Sequence, residues 1–355
     1  MTVTVRSFAK INLGLRIGAA REDGFHQLLT VYQTIGLHDV IRVSVRRGSG
    51  IEIQCADPRV PKDESNTCFR IVEKAMRELG AKGRVVIEIE KRLPVQGGLG
   101  GASANAVATL LGLERALKKR LPTAEKLRIA AEVGSDLPLF LVGGTVLGVG
   151  RGELVYPLED LRAMACVVVT PEVGVSTPKA FAAWDRRMSD EGRGLRPNFF
   201  AAVDAALKGR FRTDSFAGGD QSGKLTVASG SDRMSELGRG LSAWLGERYS
   251  SAPSTLARRG RAENPLLWLV RAGIENDFEQ VVFPEYPELS SGKRALLRAG
   301  AKYASLSGSG STLYGLFESR AACVRAAVRL RRLGWAATAT ATLARSAYWR
   351  RIVAR

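Results

Sequence analysis

A glycine-rich segment that leads into a helical pattern is the feature that most constrains this 355-residue chain. Residues 97–101 read Gly-Gly-Leu-Gly-Gly and are followed by Ser103 and a run rich in alanine and leucine. Glycine lets backbone N–H groups approach an anion closely, and a helix that begins there adds the positive end of its dipole. The segment therefore predicts a cradle for a phosphorylated ligand.

The spacing of these glycines excludes two common phosphate-binding motifs. A P-loop requires a lysine directly after its last glycine, and the sequence has no lysine between Lys91 and Lys118. A dinucleotide-binding motif needs Gly-x-Gly-x-x-Gly spacing and a later acidic residue for the ribose, and the segment has neither. An ordinary glycine-rich turn before a core helix is the alternative interpretation.

The net charge of +18 raises the possibility of a nucleic acid partner. From Arg320 to the C-terminus there are nine arginines and no acidic residue. Arg325, Arg329 and Arg332 recur at helical spacing, which is typical of the solvent-facing side of a helix. Because no aromatic interleaving or zinc-finger spacing accompanies them, nucleic acid is not predicted as the main partner.

The sequence also predicts a cytoplasmic protein without a membrane partner. Apolar and polar residues alternate at the N-terminus, so no signal peptide or anchor is predicted there. The most apolar stretch, residues 137–150, is too short to span a bilayer and contains a proline and several glycines. The four cysteines lack metal-ligand and redox spacing, which favours a reducing compartment.

Length predicts two domains, and periodicity predicts a mixture of strands and helices. Residues 182–262 are rich in Arg, Gly, Ser and Asp and are predicted to form a loosely packed or disordered insertion, after which order resumes with a helix near residue 264. A loop of small residues, Ser307–Thr312, is predicted between two strands. The other predicted strands are 2–17, 30–54, 85–90, 144–149, 166–170 and one from 336, and the other predicted helices are 66–79, 103–118, 123–133, 292–299 and 321–333.

Three segments together resemble the motifs of the GHMP small-molecule kinases: Ser7–Leu15, the glycine loop and Ser307–Thr312. Further segments resemble one branch of these kinases, namely Arg21–His26, Gly134–Phe140, Val175–Phe181, Asn276–Glu279 and Tyr286–Leu289. That branch phosphorylates the 2-hydroxyl of 4-diphosphocytidyl-2-C-methyl-D-erythritol in the non-mevalonate isoprenoid pathway, with ATP and Mg²⁺. The resemblance implies an α+β fold with an N-terminal domain like domain 2 of ribosomal protein S5, residues 1–160, and a ferredoxin-like C-terminal domain, residues 161–355.

Phosphoryl transfer to an alcohol requires a proton acceptor and neutralisation of charge, and two residues are candidates for these roles. Asp136 follows a helix-ending glycine and precedes Leu-Pro-Leu-Phe, which predicts a partly desolvated carboxylate that can act as a base. Lys10 lies on a strand whose inward side is otherwise apolar, so its ammonium requires a partner, and Asp136 is the expected one. A loop-capping aspartate and a surface lysine are the alternatives.

The resemblance also implies an ATP site. Its predicted members are Pro94, Gly97, Gly98, Leu99, Gly100, Gly101, Ala102 and Ser103 around the phosphates, with Asn66 near the nucleoside. No direct protein ligand to the metal is predicted except, as an option, Ser103. Where the family usually has Gly-Gly-Gly-Ser-Ser-Asn, this chain has Ala102 and Ala104, and we expect activity to survive if the φ angle of Ala102 is negative.

For the acceptor, the implied residues are Asn12, Phe25, His26, Tyr32, Thr177 and Phe181. His26 is expected to read the cytosine edge, and Phe25 and Phe181 to sandwich its ring, with Phe25 in place of the usual tyrosine. Ser307, Gly308, Ser309 and Gly310 are expected to close on the phosphate side. A small-molecule partner and a monomer or homodimer are predicted. Other GHMP kinases acting on homoserine, mevalonate or a sugar, and an inactive basic homologue that binds nucleic acid, are the competing hypotheses.

Overall fold

The computed structural model of this chain describes residues 2–158, 160–190 and 275–353. The site discussed below lies in one compact unit made of Met1–Arg187 and Glu263–Arg355. From residue 191 onwards, the predicted insertion falls outside the described residues, as does the helix predicted near residue 264. Among the described residues, no helix combines the length and the apolar character needed to cross a bilayer.

A long hairpin is the centre of the first sheet. Its strands are β1 (Thr2–Ala20) and β2 (His26–Arg46), which pair antiparallel over nearly their whole length. The turn between them contains Gly24 with φ +77°, a conformation that glycine adopts without strain. Four further strands extend this sheet, in the order β3-β4-β2-β5-β6, with β1 also paired to β2: β3 (Ile51–Cys55), β4 (Arg84–Glu90), β5 (Thr145–Gly150) and β6 (Leu154–Pro157).

Helices cover one face of this sheet and form the main core with it. The central one is α2 (Gly101–Leu117), which is buried along most of its length because it packs on β1, β2 and its neighbouring helices. Its buried residues include Val107 and Leu110, which belong to one apolar cluster with Ile41 and Val43 of β2. The neighbouring helices are α1 (Thr67–Glu78), α3 (Thr123–Val133) and α4 (Leu137–Val142).

The second sheet is built from residues later in the chain. It is antiparallel, with the order β10-β7-β9-β8, and its strands are β7 (Ala165–Val169), β8 (Tyr303–Leu306), β9 (Leu313–Phe317) and β10 (Ala337–Ala341). The described helices of this part are α5 (Thr177–Asp190), α6 (Glu279–Glu285), α7 (Pro287–Arg298), α8 (Arg320–Arg332) and α9 (Arg345–Ile352). The last of them returns to the first sheet, where Val353 bridges to Val5.

Several predicted boundaries are wrong, for local physical reasons. The strand predicted over 30–54 is two strands, because the chain turns through Gly48 and Gly50, which have φ angles of +113° and +97°. His38 belongs to β2, and its ring packs on Phe8. The helix predicted to begin at Gly292 begins at Pro287, since proline is favourable in the first helical turn.

Candidate active site

The hairpin places three polar side chains on one face of the first sheet. Lys10 and Asn12 are two residues apart on β1 and so point to the same side, and Tyr32 of β2 lies directly opposite Asn12. The pairing of β1 and β2 is irregular between Phe8 and Lys10 and again after Asn12. Such bulges re-aim side chains, and here they frame the two residues that the sequence singled out.

Lys10 and Asp136 form a partly buried ion pair, as predicted for the lysine's partner. The Lys10 Nζ lies 3.4 Å from Asp136 Oδ2, and the two side chains are 4% and 33% exposed. The same ammonium donates to Asn12 Oδ1 at 2.7 Å, and the Asn12 amide donates in turn to Thr30 Oγ1 at 2.7 Å. The cation therefore has a fixed position, while a third of the carboxylate stays accessible to a ligand.

Asp136 owes its position to the junction of two helices. Gly134 ends α3, and Asp136 immediately precedes α4, whose second residue is Pro138. Tyr32 donates its hydroxyl to Asp136 Oδ1 at 3.1 Å, so each carboxylate oxygen has one protein partner. Burial, and then the negative charge of Asp136, raise the pKa of Tyr32 well above its ordinary value. The phenol therefore stays protonated and remains a donor at any working pH.

Removing this donor tests whether Tyr32 orients the carboxylate. We expect Tyr32→Phe to lower kcat about threefold to tenfold, because a hydrogen bond of ~1 kcal/mol to Asp136 corresponds to about a fivefold change in rate.

Tyr348→Phe is the matched control, since the Tyr348 hydroxyl is also buried and donates to the Phe140 carbonyl at 2.6 Å. We expect it to lower the melting temperature and leave kcat unchanged. An unchanged kcat in Tyr32→Phe would contradict the orienting role.

The glycine loop bends onto Lys10 and then becomes the first turn of α2. Gly98 and Gly100 have φ angles of +80° and +68°, so both need glycine. A Cβ on Gly100 would lie 2.9 Å from Phe140 Cζ and 3.1 Å from Lys10 Cγ. The backbone N–H of Lys10 donates to the Leu99 carbonyl at 3.0 Å. The φ angle of Ala102 is not positive, which is the condition we set for an alanine at this position.

The Ser307–Thr312 loop lies directly against the glycine loop. Ser307 donates its hydroxyl to the Gly98 carbonyl at 3.0 Å, and the Thr312 N–H donates to the Gly97 carbonyl at 3.1 Å. A Cβ on Gly308 would be 3.5 Å from Lys10 Nζ. The two loops and the Lys10–Asp136 pair therefore form one continuous site, although the sequence separates them by about 200 residues.

Two residues of this site were missed as members by the sequence prediction. Asn276 is buried and donates to the carbonyls of Leu306 and Gly308 at 3.0 and 2.8 Å, so it holds the second loop. Its signal was present in the Asn276–Glu279 motif, which carried no assigned role. Lys91 lies at the start of the glycine segment, and a Cβ on Gly101 would be 3.4 Å from its Nζ. A single lysine after a strand gave no signal that distinguished it from a surface residue.

The residues predicted to bind a nucleobase are placed in two groups. The rings of His26 and Phe181 are stacked, with centroids 4.8 Å apart and planes 13° apart, and His26 Nε2 lies 2.7 Å from Asp185 Oδ1. Phe25 is 48% exposed, and its ring lies 4.8 Å from the Arg151 guanidinium instead. The sandwich of a base between Phe25 and Phe181 therefore stays a prediction.

The other predicted site residues lie at the edges of the two loops. Pro94 packs under Gly97, where an added Cβ would be 2.8 Å from Pro94 Cγ. Thr177, at the start of α5, shares a hydrogen bond of 2.7 Å with Ser309 of the second loop. Asn66 caps α1 by accepting from the Cys68 N–H at 2.8 Å, and its amide donates to the Pro61 carbonyl. Both ends of the Asn66 side chain thus already have structural partners.

The donor set around the loops suits a metal carried by phosphates. The described residues contain no cluster of three or more His, Cys, Asp or Glu side chains that could hold a metal ion. Mg²⁺ commonly keeps several waters and binds through substrate phosphates and one or two protein oxygens. Ser103, in the first turn of α2, is half-buried beside the glycine loop and offers a hydroxyl of that kind.

Two family profiles match the chain. They are the GHMP kinases N terminal domain over residues 66–144 and the GHMP kinases C terminal over residues 263–334. A curated relative named 4-diphosphocytidyl-2-C-methyl-D-erythritol kinase, from Solibacter usitatus, is 35% identical over 91% of this chain and 83% of its own. A relative of the same name from Geobacter sulfurreducens is 30% identical over 96% of this chain and 99% of its own.

Solved structures give the same result at the level of the fold. A crystal structure of 4-(cytidine 5'-diphospho)-2C-methyl-D-erythritol kinase has a TM-score of 0.64 and 27% identity, and it covers 96% of this chain and 98% of its own. The mevalonate kinase of L. major, in complex with R-mevalonate, has a TM-score of 0.60 with 14% identity and covers 96% of both chains. At that identity, only the fold is shared.

Proposed function

Since the chain belongs to the family of 4-diphosphocytidyl-2-C-methyl-D-erythritol kinases, we propose that it transfers the γ-phosphate of ATP to the 2-hydroxyl of 4-diphosphocytidyl-2-C-methyl-D-erythritol. It is a GHMP kinase, a phosphotransferase with an alcohol acceptor, and ATP is its co-substrate. The observation that supports this activity most directly is the Lys10–Asp136 pair beside the two glycine-containing loops. Its product serves the formation of isoprenoid precursors.

Asp136 is the proposed base. Its accessible carboxylate accepts the proton of the acceptor hydroxyl as that oxygen attacks the γ-phosphorus, and the bond from this phosphorus to the bridging oxygen breaks so that ADP leaves. The two protein donors keep the carboxylate oriented. Lys10 has two roles in this arrangement: it holds Asp136, and its ammonium stabilises negative charge on the phosphoryl oxygens. Asn12 fixes Lys10 by accepting one of its hydrogen bonds.

The backbone of residues 97–103 is the proposed cradle for the phosphates of ATP. The start of α2 contributes N–H groups without intrahelical partners, whereas the nearby Lys91 ammonium is paired with the buried Asp39 at 2.6 Å. Bound Mg²⁺ would neutralise phosphate charge, with Ser103 as the protein group that would contact it. The second loop, held by Asn276, closes this side of the site through Ser307–Gly310.

The acceptor's nucleobase is proposed to bind near His26 and Phe181. Imidazole nitrogens can read the polar edge of a pyrimidine, and the two rings offer stacking surface. We also propose that the boundary between the two domains lies near residue 160, between the strands of the first sheet and those of the second.

The test of the function is ADP release by the purified chain with ATP and Mg²⁺. We expect turnover with 4-diphosphocytidyl-2-C-methyl-D-erythritol and none above background with homoserine, mevalonate or galactose. Turnover with one of the other alcohols would support kinase activity but contradict the proposed substrate. No turnover with any alcohol, together with salt-sensitive binding of RNA that ATP does not affect, would favour the inactive nucleic-acid-binding homologue.

A further inference from the structure

An open cavity of about 660 Å³ adjoins the proposed base on the side of α1 and α3. Its lining includes Ser135, which immediately precedes Asp136, and Phe25, which immediately precedes His26. The cavity thus connects the residue next to the proposed base with the residue next to the proposed nucleobase contact. The function proposed above uses neither its volume nor its charged walls.

The walls of this cavity carry an excess of positive charge. Arg70 and Lys74 of α1 and Arg151 of the turn between β5 and β6 line it, and the one carboxylate among the lining residues is Glu132. That carboxylate is already engaged, because Lys74 Nζ donates to it at 2.8 Å. Arg70 donates a hydrogen bond of 3.5 Å to the Glu132 carbonyl of α3. A cavity with this balance favours an anion over a cation or an apolar group.

Arg151 is held in place without losing its capacity to bind an anion. Its guanidinium lies over the Phe25 ring at 4.8 Å, and its Nε is 3.6 Å from Glu153 Oε1. The side chain of Arg151 is partly exposed, and its backbone N–H donates to Glu153 as well. A stacked guanidinium keeps N–H groups at its edge, which match two phosphate oxygens at once.

We propose that this cavity holds the diphosphate of the acceptor, with Arg151 and Arg70 as its cationic contacts. The proposal rests on the proposed function, because in a cytidine diphosphate linked to an alcohol the two phosphates lie between the base and the reacting hydroxyl. Phe25 and Ser135, the chain neighbours of His26 and Asp136, both line the cavity, which fits that order. The arginines then contribute to acceptor selectivity: alcohols without a diphosphate, such as homoserine, lack the group that they bind.

The phosphates of ATP could occupy the same cationic cavity, but the geometry favours the diphosphate of the acceptor. None of residues 97–103, the proposed cradle for ATP, lines the cavity. The cavity is instead continuous with Phe25 and Arg151, which lie at the tip of the β1–β2 hairpin and in the β5–β6 turn. Kinetics with each substrate varied in turn distinguish the two sources.

The experiment compares cytidine and CDP as ligands of the wild-type chain and of Arg151→Gln by calorimetry. We expect Arg151→Gln to weaken CDP binding about tenfold to a hundredfold, the size of a charge-assisted hydrogen bond, and to leave cytidine binding unchanged. The KM for the acceptor should rise in parallel, while the KM for ATP stays within twofold. Arg151→Lys should recover part of the CDP affinity because it restores the charge without the paired N–H groups.

Arg59→Gln is the matched control, since the Arg59 guanidinium is exposed, pairs with Asp57 and does not line the cavity. It should leave the affinities for cytidine and CDP, and the KM values for the acceptor and for ATP, unchanged. Equal weakening of cytidine and CDP in Arg151→Gln, or a higher KM for ATP alone, would overturn the diphosphate site. If Arg151→Gln selectively weakens CDP binding while the wild-type chain never phosphorylates the acceptor, the proposed function fails, and the cavity binds a diphosphate other than that of the proposed acceptor.

Discussion

Replacing Asp136 by asparagine is expected to lower kcat by about 100-fold to 10,000-fold, the usual contribution of a positioned general base. The asparagine keeps the shape of the side chain and its hydrogen bond from Tyr32, but it cannot accept the proton of the acceptor hydroxyl. It also leaves the buried Lys10 without its anion, which should lower the melting temperature. Calorimetric affinities for ATP and for CDP should change only a few-fold.

Glu114→Gln separates loss of the base from general loss of a buried carboxylate. Glu114 is buried near the end of α2, accepts from the Leu121 N–H at 2.8 Å and lies 3.4 Å from Lys126 Nζ. We expect this variant to lose stability and keep its kcat. If Asp136→Asn turns over at near the wild-type rate, Asp136 is not the base, and the carboxylate then acts only as the partner of Lys10.

Replacing Gly98 by alanine is the second change with a large expected effect. A Cβ at this position would lie 2.2 Å from the Ser307 carbonyl oxygen and 3.1 Å from Gly310 Cα, so the two loops must separate by about 1 Å. The φ angle of +80° adds strain of about 1–2 kcal/mol for any residue with a side chain. We expect kcat/KM for ATP to fall about 100-fold, as for other misplacements of this size in active sites.

The control for this variant is Gly174→Ala, because Gly174 has no atom within 4 Å of an added Cβ and its φ angle is not in the left-handed region. It should match the wild-type chain in activity and melting temperature. For Gly98→Ala, the melting temperature measures the loss of stability, and the kinetics measure the damage to the ATP site. A variant that melts normally and binds ATP normally would show that the contact between the loops is not needed for the site.

The predicted elements with strong periodicity agree with the structure, and the missed ones are short. The helix predicted over 123–133 has the same bounds in the structure because Gly134 provides a clear C-terminal signal. The six-residue helix α4 was not predicted, since it has too few residues to show a helical period and contains Pro138 near its start. The ion pair between Lys10 and Asp136 was predicted because a buried ammonium requires a charged partner.

The sequence by itself identified the glycine loop, the Lys10–Asp136 pair and the family. These features depend on local chemistry: glycine where the backbone takes a positive φ, and ionisable residues within apolar segments. Motifs in a characteristic order then identify the relatives, without any knowledge of how the segments pack.

Only the tertiary structure decided how distant segments meet. The contact of Gly98 with Ser307, the clamp of Asn276 on Gly308 and the position of Arg151 over Phe25 each join residues far apart in the chain. Sequence periodicity reports which side of an element faces the core, but it contains no distance between two elements. Those distances follow from the pairing of the strands and the packing of the helices over them, and they decide which side chains share one site.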